Sequence, residues 1–154
     1  MKKLFPLLAL LIFACSSDDD SNLTAQLFLE KYDGVVWNED LYNSNPDYSY
    51  KIVFTKTPPT ITFNETYMND MNCYVVPIGS SYTDENGTIT TSVVESTEDT
   101  IVLDFEEDYL GEIDLYRTTF YVQNNGNSMV VEISEGDEPA TEYYSKTNLN
   151  NPCN

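Results

Sequence analysis

From residue 35 onward the chain is cut into short runs of β-branched and aromatic residues, each closed by a turn signal, and that rhythm restricts it to antiparallel sheet. The runs are 35–38, 50–55, 60–66, 72–78, 88–96, 100–106, 113–123, 128–134 and 141–146. Between them stand Asn45-Pro46, Pro58-Pro59, Asn86-Gly87, Asn125-Gly126 and Gly136-Asp137. These connections are too short for the crossovers that parallel strands need. Alternation is clean in several runs, with Tyr50, Ile52 and Phe54 on one side, likewise Ile101, Leu103 and Phe105, and Met129, Val131 and Ile133, which reads as one apolar face and one wetter face. The predicted fold class is therefore all-β, an antiparallel up-and-down meander that closes into a barrel, with a β-sandwich as the alternative. Ahead of the strands, Leu23, Leu27 and Phe28 share one helical face behind Asn22 as a cap, which predicts a short N-terminal helix over 23–32. Residues 23–154 read as a single β-domain without internal repeat.

The start of the chain is of another kind. Lys2 and Lys3 precede an apolar stretch, 4–13, that ends at Ala14 before Cys15. A bilayer-spanning helix needs about 20 apolar residues, so this stretch is too short to be one. Ile12-Phe13-Ala14-Cys15 resembles the lipobox of bacterial lipoproteins, Phe13 being a bulky occupant of its middle position. That resemblance implies that residues 1–14 are a signal peptide, that Cys15 becomes a lipidated N-terminus, and that the membrane is a partner through the acyl chains. Each buried acyl CH₂ contributes about 0.8 kcal/mol to such an anchor. Residues 16–22, with Asp18, Asp19 and Asp20 among serines, read as a polar tether after the lipidated Cys. An acidic run placed this way resembles the signal that carries lipoproteins of some Gram-negative groups to the outer leaflet of the outer membrane, and a solvated linker is the plain alternative. The expected location is lipid-anchored at the outer membrane.

Removing residues 1–14 takes away two of the seven basic residues and none of the 26 acidic ones, which leaves a formal charge of −21. A chain with no basic cluster is a poor partner for nucleic acid or for an anionic membrane surface. With Cys15 assigned to lipid, Cys73 and Cys153 remain as a pair in an oxidising compartment, and they are expected to form a disulfide that pins the tail 148–154; two free thiols are the alternative.

A short helix, a first strand with Gly34 and Trp37, a run of antiparallel strands and a Cys near the C-terminus together resemble the lipocalin-like group of small lipoproteins. The group's Gly-x-Trp is here Gly34-Val35-Val36-Trp37, longer by one residue, and Asp114-Leu115-Tyr116 resembles its Asp-x-Tyr. The resemblance implies a lipocalin-like barrel in which a late Arg packs over the first-strand Trp and closes one end. Arg117, the only Arg in the chain, would fill that role against Trp37. Its strand is equally apolar on both faces, so periodicity does not say which is inside. If Arg117 points inward, its partner is the Trp37 ring, a buried acid or the head group of an anionic ligand.

The chain has no His, which excludes a Ser-His-Asp triad and a His-ligated zinc site. With the cysteines assigned, only carboxylates remain as catalytic groups, and none of the 26 stands out as a glycosidase pair. The protein is expected not to be an enzyme and to need no cofactor. The segment Asp104-Phe105-Glu106-Glu107-Asp108 and the turn at Asp84-Glu85-Asn86-Gly87 offer oxygen ligands for Ca²⁺ without the EF-hand spacing, and solvated hairpin ends are the plainer reading. Twelve Tyr and seven Phe are many for this length. Tyr74, Tyr116, Tyr121, Tyr143 and Tyr144 fall in predicted strands, where they either fill a core, line a ligand cavity or stack on sugars. The functional expectation is a lipocalin-like lipoprotein that holds a small apolar or amphipathic ligand, with Trp37, Arg117 and Tyr121 as ligand-binding or barrel-closing residues. Its alternative is an interaction module that meets an envelope protein or a glycan, its barrel filled by Phe54, Phe63, Phe105 and Phe120.

Overall fold

The computed structural model describes residues 20–42, 47–68, 70–85, 87–134 and 139–153. The expected signal peptide (1–14), Cys15, most of the expected tether, Asn86 and the turns at Asn45-Pro46 and Gly136-Asp137 lie outside the described residues. A helix α1 (Asp20–Tyr32) is followed by ten strands. These are β1 (Val36–Glu39), β2 (Tyr48–Thr55), β3 (Thr60–Tyr67), β4 (Asp70–Pro77) and β5 (Ser81–Thr83), then β6 (Thr88–Ser96), β7 (Thr100–Tyr109), β8 (Glu112–Gln123), β9 (Ser128–Ser134) and β10 (Ala140–Thr147). They form one sheet in the order β4-β3-β2-β1-β10-β9-β8-β7-β6-β5, antiparallel throughout, which curls into a nearly closed barrel rather than a sandwich. The three-residue β5, polar and exposed, is the one strand the sequence rhythm does not announce.

All strand pairs but one join sequence neighbours; the exception is β1 with β10, in register Val36↔Thr147 to Glu39↔Tyr144. No ladder joins β4 to β5. Near their α1-proximal ends the gap is bridged from β6: the Thr91 N–H donates to Ser80 O (3.0 Å), the Thr91 hydroxyl to Pro77 O (2.6 Å), and the Gly79 N–H to the Thr91 hydroxyl (2.9 Å). Toward the other end β4 and β5 diverge, and Tyr74 and Tyr82 stand exposed beside the seam.

Helix α1 plugs one end of the barrel. Its buried stripe is Ala25, Phe28, Leu29 and Tyr32, spaced as neighbouring turns require. This corrects the expected face: Phe28 belongs to it, Leu27 is exposed, the side chain of Leu23 is outside the described set, and the helix begins at Asp20, which puts Asn22 inside it rather than at its cap. Small Ala25 lets the helix lie close to the strand ends, and the rings one turn on do the packing. Phe28 meets Phe54 edge-on at 5.0 Å, and Phe54 meets Phe120 at 5.2 Å. Rings in such T-shaped contacts contribute about 0.5–1.5 kcal/mol each beyond their buried area. Polar contacts fix the helix from outside, with Lys31 Nζ 2.8 Å from Asp99 Oδ1 and Lys56 Nζ 2.8 Å from Glu30 Oε1. Gly34, at φ +70°, then turns the chain into β1, a conformation that a side chain would strain.

The sheet's outer face is covered on one side. Segment 148–153 leaves β10 beside Val36 and ends at Cys153, which is disulfide-bonded to Cys73 on β4, as the cysteine arithmetic predicted. It runs as a strap over β1 to β3, where the outward-pointing Val36, Val53, Thr62 and Asn64 are all buried. Asn64 is satisfied there by the Asn72 carbonyl at 3.3 Å.

Candidate functional site

Strand alternation decides what the barrel contains. Inward rows run Trp37 and Glu39 on β1; Tyr48, Tyr50, Ile52 and Phe54 on β2; Ile61, Phe63 and Glu65 on β3; and Leu103, Phe105 and Glu107 on β7. The α1 end of these rows is packed solid. The other end encloses a cavity of about 340 Å³ that opens away from the helix. Its floor and walls are Ile52, Val76, Ile89, Phe120, Val131 and Ile133, with Phe63, Phe105 and Tyr74 above them. Of the four phenylalanines considered as a solid filling, Phe54 is in the packed half, whereas Phe63, Phe105 and Phe120 line the void. A shallower pocket of about 230 Å³ lies at the β4–β5 seam and shares Tyr74, Ile89 and Glu107 with the cavity.

The open end is finished by tyrosine and glutamate. The Tyr144 hydroxyl donates to Glu142 Oε2 at 2.7 Å, the Tyr48 hydroxyl to Glu65 Oε1 at 2.9 Å, and the Tyr116 hydroxyl to Glu107 Oε1. Tyr116 also stacks flat on Phe105, with centroids 4.9 Å apart. Glu107, Glu142, Tyr50, Tyr116 and Tyr144 line the cavity itself. Glu39 sits beside them on β1, opposite Tyr144, with only 7% of its surface exposed and no hydrogen bond or ion pair to its carboxylate among the described residues. Burial, and then the charges of Glu142 and Asp40, push the Glu39 carboxyl up to about 7. Tyr50 and Tyr144 are likewise raised above the usual phenol range, chiefly by burial.

The residues singled out in the sequence fall elsewhere. Trp37 points inward and is fully buried, but in the packed half against Tyr32 at 5.8 Å, and it does not line the cavity. Arg117 corrects the expected closing contact. It lies on the outer face, where its Nε is 2.6 Å from Asp104 Oδ1 and its Nη2 is 2.9 Å from Asp104 Oδ2, and it does not reach Trp37. Tyr121 shares that outer row and reaches Glu132 at 3.4 Å. The inward row of β8 is Tyr116, Thr118, Phe120 and Val122. Since both rows of β8 are equally apolar in sequence, the neighbouring strands decide its facing: Phe105 and Leu103 on β7 require Tyr116 and Thr118 opposite them. Tyr143 is on the outside and Tyr144 on the inside for the same reason.

The acidic segment of β7 is split by alternation, with Asp104, Glu106 and Asp108 on the outside and Glu107 within, so it does not converge as a calcium loop would. Among the described residues no group of three or more His, Cys, Asp or Glu is placed to hold a metal ion, and no helix is long and apolar enough to cross a membrane. Models of known protein families and curated protein sequences yield no match to this chain.

Proposed function

We propose that this protein is a non-enzymatic, lipocalin-like binding protein that holds a small apolar or amphipathic ligand in its barrel and is tethered to the outer membrane through acyl chains on Cys15. The observation that carries the binding part is the cavity of about 340 Å³, walled by Ile52, Val76, Phe120, Val131 and Ile133 and open opposite the helix. Ligand sites are concave and mostly apolar, with a few placed polar groups and volumes upward of about 300 Å³. The anchor rests on the lipobox resemblance around Cys15.

Native mass spectrometry of protein purified from its host tests the binding reading. A co-purifying small molecule is expected, and so is binding of an apolar fluorescent probe that the cavity-filling variants Ile133→Trp and Val131→Phe abolish while they still unfold cooperatively. Neither a bound molecule nor probe binding would overturn it. Replacing Cys15 by Ser should release the protein in soluble form, and continued membrane retention would contradict the anchor.

One observation favours the rival reading, an interaction module for an envelope protein or glycan. Strand β4 ends the sheet, with no strand paired to its outer edge among the described residues, and exposes Met71, Tyr74 and Val75. If that edge carries the function, partner capture will survive the cavity-filling variants.

A further inference from the structure

Building on the ligand-binding reading, we infer that the cavity selects amphiphiles with a cationic, amine-type head group, the head lying among Glu39, Glu107 and Glu142 and the tail against Ile133 and Val131. The apolar wall explains why something with a tail would enter; the open end decides which head it can carry. Glu107 and Glu142 face the void, and Glu39 stands on β1, next to the strand that carries Glu142.

Tyrosine hydroxyls hold Oε1 of Glu107 and Oε2 of Glu142, but a phenol donor satisfies a lone pair without neutralising the charge. No hydrogen bond to the second oxygen of either carboxylate is found among the described residues. Glu39 is the sharper case: the residue is largely buried and no donor reaches its carboxylate among the described residues, so the only relief its oxygens have is solvent contact at the open end. Removing a carboxylate from water is costly unless a charge or a strong donor meets it.

The protein's own cations do not supply that charge. Lys31 is engaged with Asp99, Lys56 with Glu30 and Arg117 with Asp104, while Lys51 reaches Ser49 on the outer face and Lys146 lies at the α1 end. None of the five lines the cavity. A fatty-acid carboxylate would therefore meet three acids and no counter-charge. A neutral alcohol would gain only hydrogen bonds. An ammonium head would gain both charge and hydrogen bonds, in a setting where partial desolvation strengthens each.

Isothermal titration of the purified protein at pH 8 and about 0.15 M salt, which screens the general acidic surface, separates the possibilities. The probes are n-octylamine, n-octanol and n-octanoate. Octylamine should bind at least tenfold more tightly than octanol, with octanoate the weakest. The double variant Glu107→Gln, Glu142→Gln should reduce the amine's advantage to threefold or less while leaving octanol affinity within twofold. Methylamine, which has the charge without the tail, should bind at least a hundredfold more weakly than octylamine. If octanol or octanoate matches the amine, the head-group inference fails and the ligand-binding reading stands. It fails too if octylamine binds unchanged to the Ile133→Trp variant, since the contact is then with surface charge. If none of the three probes binds, the ligand-binding reading itself fails.

Discussion

The two ends of this barrel are made from the same strands and the same alternation, yet they are finished in opposite ways. At the helix end the inward rows finish in apolar side chains, with Phe28 laid edge-on over Phe54 and Phe54 in edge contact with Phe120, which lies between the packed half and the cavity. At the open end the rows finish in acids, Phe63 giving way to Glu65, Phe105 to Glu107 and Trp37 to Glu39. Rings can interdigitate until no void is left, whereas like-charged carboxylates repel and need water or donors around them, so one end is dense and the other hollow. Dense packing and open space thereby fall in different halves of one core.

Truncating a ring at each end tests this division most severely. Phe28→Ala should cost about 3–5 kcal/mol, because the site is closed on all sides and cannot collapse. Phe63→Ala, beside an existing void and partly exposed, should cost about 1–2 kcal/mol. Equal losses in chemical denaturation would break the comparison. The strap belongs to neither end. Replacing Cys73 and Cys153 by Ser should lower stability by about 2–5 kcal/mol through freeing an 80-residue separation in the unfolded chain. Probe binding below the melting transition should persist, and its loss would mean that the strap shapes the cavity.

At the open end the acids should make stability depend on pH in an unusual direction. The Glu39 carboxyl, raised to about 7 from 4.5 by burial and by facing Glu142 on β10 and Asp40 just beyond β1, with the neutral phenols of Tyr50 and Tyr144 alongside, binds its proton more tightly in the folded chain than in the unfolded one. Its contribution is therefore fully present below about pH 4.5 and is lost as pH rises through about 7. Glu39→Gln should stabilise the protein by about 1 kcal/mol at pH 8 and by little at pH 4, at the low end of the cost of an unsatisfied buried group because the carboxylate oxygens keep some solvent contact. A pH-independent effect of the substitution would show that the carboxyl is already solvated. The smallest effect is expected on the outer face. Arg117→Leu should change stability by less than about 1 kcal/mol, as exposed ion pairs do. A loss of several kcal/mol would return Arg117 to the interior.

Much of the fold was legible in the sequence, since strands and turns are local. The runs from 50–55 to 141–146 correspond to strands in the structure, and the helix over 23–32 is present with an earlier start. The disulfide was legible because only two cysteines were left to pair. The site was not. On β8 both rows are apolar, so periodicity left open whether the row of Arg117 and Tyr121 or the row of Tyr116 and Phe120 faces inward, and it is Tyr116 and Phe120 that line the cavity. The carboxylates of the open end were hidden among 26 acids, yet a signal was present: Glu39, Glu65 and Glu107 each stand two residues beyond an inward Trp or Phe, so each extends an apolar row by one charged place. Reading those rows to their ends, rather than stopping at the last apolar residue, would have found them. The void itself has no local signature, because its volume depends on how ten strands curl together.

The pairing of β1 with β10 has a consequence in time. Every other ladder joins strands that follow one another in the chain and can form as soon as both exist, whereas Val36 must wait for Thr147. The barrel is thus a zipper with a single late clasp: β6 to β9 can assemble as a local meander while the edge of β1 remains open. Contacts so distant in sequence make folding slow, on the scale of milliseconds to seconds rather than microseconds. Until the last strand arrives, the cavity has no wall on that side, and any ligand the protein carries can be enclosed only after the clasp is made.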